Sequence, residues 1–309
     1  MIYDIYYHND FDGRASAAII LNFLRTRGDD IGRYVPVAFD LKPTWSKLKF
    51  SRPTIIVDFI YHPRAAWWYD HHLTSFIKPE WQKSFRPSKL KRWNSKYPSC
   101  CSLVLDSLEK DFKFEPPIYL RELARWLDIT DAAGYKTARQ AIEFKEPAMQ
   151  IMNYIDEHSK NNESLAWLID LLSRFSLRAV MRDPRLVREG KKLIRNHAKA
   201  FTFYKKHIVP QGRVGVIDLG KNKLVDLRFS TYYLYPRLVY NLIVKDSADG
   251  FRFSVGTNPW RRSKDKTVNI GRLLKRYGGG GHRMVGGLLI QSKTQKEKII
   301  QEIITILNS

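Results

Sequence analysis

Tyr69-Asp70-His71-His72 (YDHH) closes the apolar run Ala65 to Tyr69 (AAWWY), and the reading of the whole chain turns on it. An aromatic and apolar run of this kind suits a buried strand, so one Asp and two His arrive together at its end. Imidazole is the commonest side-chain metal ligand near neutral pH, and carboxylate is its hard-oxygen companion. A metal site needs more donors than one triplet, and the upstream sequence holds them. Ile2 to Tyr7 (IYDIYY) reads as a strand that runs into His8-Asn9-Asp10-Phe11-Asp12-Gly13. The segment RASAAIILNFLRTRG then reads as a helix ending near Gly28. His8, Asp10 and Asp12 therefore fall in a tight strand-to-helix turn. Helix capping needs one such residue, not His, Asn and two Asp together. Tyr34 to Asp40 (YVPVAFD) is expected as a second strand, and Pro53 to Phe59 (PTIIVDF) as a third with Asp58 at its end. A carboxylate ending an apolar strand is costly unless it is paired or bound to a cation. Ligand-type side chains thus converge on one edge of one sheet, where open α/β sheets bind ligands.

A chain of 309 residues accommodates about two domains. Its 53 Lys and Arg against 31 Asp and Glu give a formal charge of +22, which points to polyanionic partners, nucleic acid foremost. Cys100 and Cys101 are adjacent and are not expected to bridge, which suits a reducing compartment. No apolar run is long enough to span a membrane, so a soluble, cytoplasmic protein is expected.

Beyond the strands, Trp81, Lys83, Phe85, Arg86, Lys89, Lys91, Arg92 and Trp93 interleave cations with rings, the pattern of a single-strand groove. Core-pinning aromatics on a solvated loop are the competing reading. Ser99 is an N-cap candidate for the helix CCSLVLDSLEKDF, whose first turn faces an anion in this reading. A helix from Pro117 to Leu127 leads to Asp128 and Asp131, either of which suits a last ligand. Helical spacing follows in Thr137 to Glu157, Glu163 to Met181 and Pro184 to Lys206, the last basic and read as a connector. His158, His197 and His207 lack carboxylate company in sequence. Strands recur from Gly212 onward. Gly278 to Gly281 then precede His282 and Arg283, a run whose N–H groups suit phosphate oxygens, with a proton donor and a guanidinium fork beside them. Trp260, Arg261, Arg262 and Lys264 add cations next to a ring.

HNDFDG, VDF, DHH, ITDAAG and GGGGHRMVGG, in this order, resemble the DHH phosphoesterase superfamily with its DHH-associated C-terminal domain. The resemblance covers residues 2 to about 291, and the family includes exonucleases of the RecJ type and nano-RNases. It implies an open, mainly parallel N-terminal sheet with helices on both faces (1–182), a helical connector (183–209) and a smaller mixed α/β domain (210–309), with the active site in the interdomain cleft. It implies two Mn²⁺, or Mg²⁺ in their place. His8, Asp10 and Asp58 would hold one; Asp12, Asp58, His71 and Asp131 the other. Asp70 would orient an imidazole and His72 would contact the scissile phosphate. His282 and Arg283 would grip a substrate phosphate with the N–H groups of Gly279, Gly280 and Gly281 beside them; Ser99, from the helix-start reading above, is counted as a further phosphate contact. The expected activity is hydrolysis of short single-stranded RNA or DNA to nucleoside monophosphates by a metal-activated water. A cyclic dinucleotide or phosphoadenosine phosphate is the alternative substrate, and a non-catalytic nucleic-acid-binding module the alternative class; the oligomeric state is left open, a homodimer included.

Overall fold

A computed structural model describes residues 1–159, 161, 163–224, 226–261 and 267–309. Two compact units divide the chain: Met1–Tyr135 with Phe144–Gly190, and Lys136–Glu143 with Lys191–Ser309.

The first unit opens with β1 (Ile2–His8), α1 (Phe11–Thr26), β2 (Asp30–Val37), a 3₁₀ turn (Phe39–Leu41), α2 (Lys42–Trp45), β3 (Thr54–Val57) and β4 (Trp67–Asp70). It continues with α3 (Pro79–Ser84), β5 (Lys91–Trp93), α4 (Cys100–Phe112) and α5 (Ile118–Asp131). α6 (Ala138–Glu143) belongs to the second unit; the first resumes with α7 (Pro147–Ser159), α8 (Ala166–Arg174), α9 (Leu177–Val180) and the start of α10 (Pro184–His207), and the division between the units falls within α10. All pairings in the sheet are parallel, in the order β2-β1-β3-β4-β5. The chain leaves β1 for one side and returns for β3 on the other, so the β1/β3 boundary is a topological switch point. Tyr6, Val37, Ile56 and Trp68 pack into one cluster with Trp45, Phe59, Tyr61 and Ala65. α1 packs on β1 and against α4, α5 and α8.

The differences from the sequence reading have physical causes. β2 starts at Asp30, earlier than Tyr34, because the ladder with β1 pairs Ile2 with Asp30. Its Gly32 and Pro36 disguise it, and an edge strand tolerates both. β5 is three residues long and lies inside the stretch read as a basic loop. α5 runs past Leu127 to Asp131, so both Asp candidates sit in its last turn.

The second unit adds β6 (Val209–Gln211), β7 (Val214–Asp218), α11 (Ser230–Leu234), β8 (Tyr240–Ser247), β9 (Gly250–Thr257), α12 (Ile270–Lys275), β10 (Gly280–Gly281), β11 (Val285–Ile290) and α13 (Lys293–Asn308). Its sheet runs β10-β11-β9-β8-β7-β6, with β7 and β8 parallel and the other pairs antiparallel. Leu242, Val244, Phe253 and Val255 meet Ile270, Leu273 and Leu274 of α12 and Ile303 and Leu307 of α13 in its core. No helix among the described residues is long and apolar enough to cross a membrane.

Candidate metal centre

The centre is built at the C-terminal ends of β1, β3 and β4. Asp10 caps α1, its Oδ1 accepting from Gly13 N at 3.0 Å, while its Oδ2 lies 2.7 Å from His8 Nδ1. Capping and ligand presentation are therefore one arrangement. Gly13 is required by close approach: a Cβ there would sit 2.1 Å from the His8 carbonyl oxygen. Asp58 follows β3 in the left-handed region, φ 58°, which Asp tolerates better than most side chains. Its N–H is held by Tyr69 O at 2.9 Å. Strain of this kind concentrates at functional positions.

Donor atoms of His8, Asp10 and Asp58 lie within 4.8 Å of one another, as do those of Asp12, His71 and Asp131, and those of Asp58, His71 and His72. His71 Nε2 is 3.6 Å from Asp12 Oδ2, 3.6 Å from Asp58 Oδ1 and 3.4 Å from Asp131 Oδ2. Its Nδ1 faces the Tyr97 carbonyl at 3.1 Å, which assigns the proton to Nδ1 and turns the Nε2 lone pair toward the carboxylates. Both Asp58 oxygens and His71 Nε2 are buried without a hydrogen-bond partner. Buried carboxylate oxygens converging on an unpartnered imidazole nitrogen fit a divalent cation, and mixed His and carboxylate donors suit Mn²⁺. Asp128 has other work: its Oδ1 accepts from Ser99 Oγ at 2.6 Å and Ser102 Oγ at 2.7 Å. Asp131 is the one that joins the cluster.

Charge crowding shows in the proton affinities. Burial, then the charges of Asp12 and Asp10, pushes Asp58 well above the usual carboxylate range. Burial, then Asp131 and Asp10, does the same to Asp12. Asp131 is pushed up to about 6 by burial and by Asp10. Burial opposes ionisation of Asp10 too, but His8 outweighs it and holds Asp10 low. For His72 burial acts downward, yet the hydrogen bond and charge of Asp70 lift it to about 9. Asp70 Oδ1 is 2.8 Å from His72 Nδ1 and also accepts from His71 N at 2.8 Å, while Oδ2 accepts from Ser75 Oγ at 2.5 Å. Asp70 thus fixes the His72 ring with Nε2 pointing away from it.

Several supporting residues are not legible in the sequence. The first N–H groups of α4 do hold an anion, but it is the Asp12 carboxylate: Cys100 N lies 2.6 Å from Oδ2 and Cys101 N 2.9 Å from Oδ1. Ser99, expected at a substrate phosphate, is instead fully buried, its Oγ donating to Asp128 Oδ1 and accepting from Ser102 N as the cap of α4. Arg14 is fully buried and ties the turn to the α7–α8 connection, donating to Asp10 O (3.2 Å), Ser159 Oγ (3.3 Å) and Glu163 O (2.7 Å). Phe39 is 44% exposed, with its ring 5.1 Å from His8 and 6.3 Å from His72. His158, expected without carboxylates, lies 2.9 Å from Glu163 and 3.1 Å from Glu189.

The basic aromatic stretch is also corrected. Trp81 packs on Tyr61 and His62, Phe85 on Tyr61 and Trp68, and Trp93 on Phe76, because ring area gains more from the core than from water. Trp93 Nε1 donates to His72 O at 2.8 Å, which braces the DHH segment. Three of the cations are engaged as well: Arg86 with the Lys83 and Phe85 carbonyls, Lys91 with Pro63 O, Arg92 with Asp111. Arg261 donates to Arg237 O, and Trp260 packs on Phe229. Arg262 lies outside the described residues.

In the second unit the glycine run forms a tight hairpin. Gly279 N donates to Leu274 O at 3.0 Å, so this N–H is not offered to phosphate, contrary to expectation. Gly280 and Gly281 pair with Gly287 and Gly286. A Cβ on Gly281, φ 143°, would lie 2.4 Å from Val285 O. The side chains of His282 and Arg283 are exposed, while their carbonyls accept from Gly271 N (2.9 Å) and Ile270 N (3.0 Å).

A parallel sheet with carboxylates and imidazoles at its switch point, followed by a mixed-sheet unit, defines a two-unit α/β fold with a candidate metal centre. Among solved structures the chain is similar to the pGpG-specific phosphodiesterase PggH from Vibrio cholerae, at 21% identity and a TM-score of 0.73 over 99% of each chain. It is also similar to RecJ in complex with Mn²⁺ from Thermus thermophilus, at 13% identity and a TM-score of 0.60; this covers 99% of the present chain and 52% of that RecJ, about half its length. The fold is therefore of the DHH type. No family model and no curated protein matches the sequence.

Proposed function

We propose that this chain is a metal-dependent phosphodiesterase that hydrolyses short single-stranded oligonucleotides, dinucleotides included, to nucleoside monophosphates. One observation carries the reading: Asp58 and His71 bring buried, unpartnered donor atoms into a cluster completed by His8, Asp10, Asp12 and Asp131. In this reading His8, Asp10 and Asp58 hold one ion and Asp12, Asp58, His71 and Asp131 the other. Bound divalent cations acidify water and neutralise charge developing on phosphorus oxygens. The protein's part is positioning. The N-terminus of α4 orients Asp12, the Tyr97 carbonyl orients His71, and Arg14 holds the turn. His72, kept protonated by Asp70, donates from Nε2 to a phosphate oxygen or to the leaving oxygen. His282 and Arg283 are further phosphate contacts.

A nucleotide is favoured over an inorganic substrate by the Phe39 ring, which gives a base a surface to stack on beside His8. The fold likeness to a pGpG-specific enzyme supports a dinucleotide as the first probe. The test incubates the protein and Mn²⁺ with labelled pGpG, longer RNA and DNA strands, a cyclic dinucleotide, phosphoadenosine phosphate and pyrophosphate. Stepwise release of monophosphates, fastest from the shortest strands, is the expected result. Turnover of the small nucleotides alone discards the oligonucleotide substrate, and silence on all of them with metal bound leaves a binding module.

A further inference from the structure

The charge surplus is not where the metal cluster is. The first unit carries 27 Lys and Arg against 23 Asp and Glu, a balance of +4, and the second carries 26 against 8, a balance of +18. A dinucleotide brings only a few negative charges, far fewer than this surplus. Much of the surplus is ordered along α10. Leu186, Leu193, Ala200 and Tyr204 form its buried side. Within the second unit its exposed residues include Lys191, Lys192, Arg195, Lys199, Lys205 and Lys206, which extend about 23 Å along the helix at roughly 1.5 Å per residue. No acidic side chain lies among these exposed positions, and none of these cations is in an ion pair among the described residues. A merely solvated helix face gains from alternating signs three or four residues apart, whereas like charges at those spacings repel. Here 191/195 and 195/199 are both like pairs, a standing cost that a regularly charged polyanion removes.

We propose that the outward face of α10 is a binding surface for a nucleic-acid strand, contacting successive phosphates and engaging strands longer than those the metal centre needs. The inference stands apart from the hydrolytic reading. A membrane surface fits less well, because interfacial helices present Trp, Phe or Leu to lipid, and Leu186, Leu193 and Tyr204 of α10 are buried. Its exposed large apolar residues are Val187 and Ile194, neither of them aromatic or Leu.

The test uses the full-length protein in EDTA, so that nothing is hydrolysed, with a labelled oligothymidylate two dozen nucleotides long. Binding is followed by anisotropy across a salt series for the wild type and for Lys191→Glu/Arg195→Glu/Lys199→Glu and its all-Gln counterpart. Circular dichroism melts confirm that the exposed substitutions leave the fold intact. Each lost phosphate contact flattens the slope of log K against log salt by about 0.7 for a single strand, so the slope should fall by about 2. The dissociation constant should rise at least tenfold near ~0.1 M salt, while pGpG binding should be unchanged. Unchanged strand affinity and slope in a folded triple variant overturn the proposal. So does loss of binding to phosphatidylserine vesicles with strand binding retained, which gives the face to a membrane.

Discussion

The two units solve opposite electrostatic problems. The first is nearly balanced overall yet gathers Asp10, Asp12, Asp58 and Asp131 around three imidazoles, a local excess of negative charge that a cation relieves. The second holds most of the positive surplus on exposed side chains and no comparable cluster among its described residues. Burial explains the difference. Ions held by the protein need donors desolvated and fixed in place, which a sheet edge and a helix N-terminus provide. A strand that must be captured and released needs cations in water, where each contact is weak and many together suffice.

The comparison can be broken by changing one side and measuring both. Asp58→Asn keeps a side chain that tolerates the left-handed backbone but removes the charge. Hydrolysis of pGpG at saturating Mn²⁺ should fall about 10³-fold or more, since metal Lewis-acid assistance is worth several kcal/mol, while oligothymidylate binding stays as it was. Retained hydrolysis would sink the metal assignment. Asp70→Asn leaves the donors in place but loosens His72; a 10- to 100-fold loss, roughly the cost of removing a residue that orients a ligand, should appear in kcat with the circular dichroism unchanged. Phe39→Ala should raise KM for pGpG roughly 5- to 150-fold, the equivalent of ~1–3 kcal/mol of stacking, and leave an abasic analogue and Mn²⁺ affinity unaffected. Equal losses on both substrates would show that the ring only packs.

The smallest effect concerns the metal-free protein. Asp12, Asp58 and Asp131 take up protons at higher pH in the folded state than in the unfolded chain, where the ordinary value is 3.8. The native state therefore binds more protons between about pH 4 and 6, and stability is lost as pH rises through that window. Asp10, held low, is charged in both states there and adds nothing. Calorimetry in EDTA should show Tm falling by several degrees, at roughly 2–4 °C per kcal/mol for a domain of this size, and Mn²⁺ should abolish the slope. A flat profile in EDTA would mean that the carboxylates relax apart without metal.

The strand ends were readable because β3 and β4, and β1 apart from Asp4, are apolar runs interrupted where they stop, so His8, Asp58 and His71 stand out by chemistry and position. The partners of those residues were not, since Cys100 N reaches Asp12 across 88 positions and a backbone N–H leaves no mark in a sequence. Arg14 looks like any helix cation until its burial is known. Trp81 and Trp93 misled because an aromatic beside a lysine has the same sequence signature whether it stacks on a base or on Phe76. Spacing left Asp128 and Asp131 open, the resemblance alone pointed to Asp131, and the two serine hydroxyls on Asp128 give that choice a physical reason.

The positive φ of Asp58 has a consequence for how this chain tolerates mutation. At that position folding admits Gly, Asn and Asp at little cost and penalises most other side chains, because only these visit the left-handed region readily. Activity, on the reading above, admits Asp alone. A saturation library at codon 58 would then sort into three tiers: unstable, stable but inert, and working. The middle tier would hold Asn and Gly, and its occupancy would separate what the backbone demands of residue 58 from what the ion does.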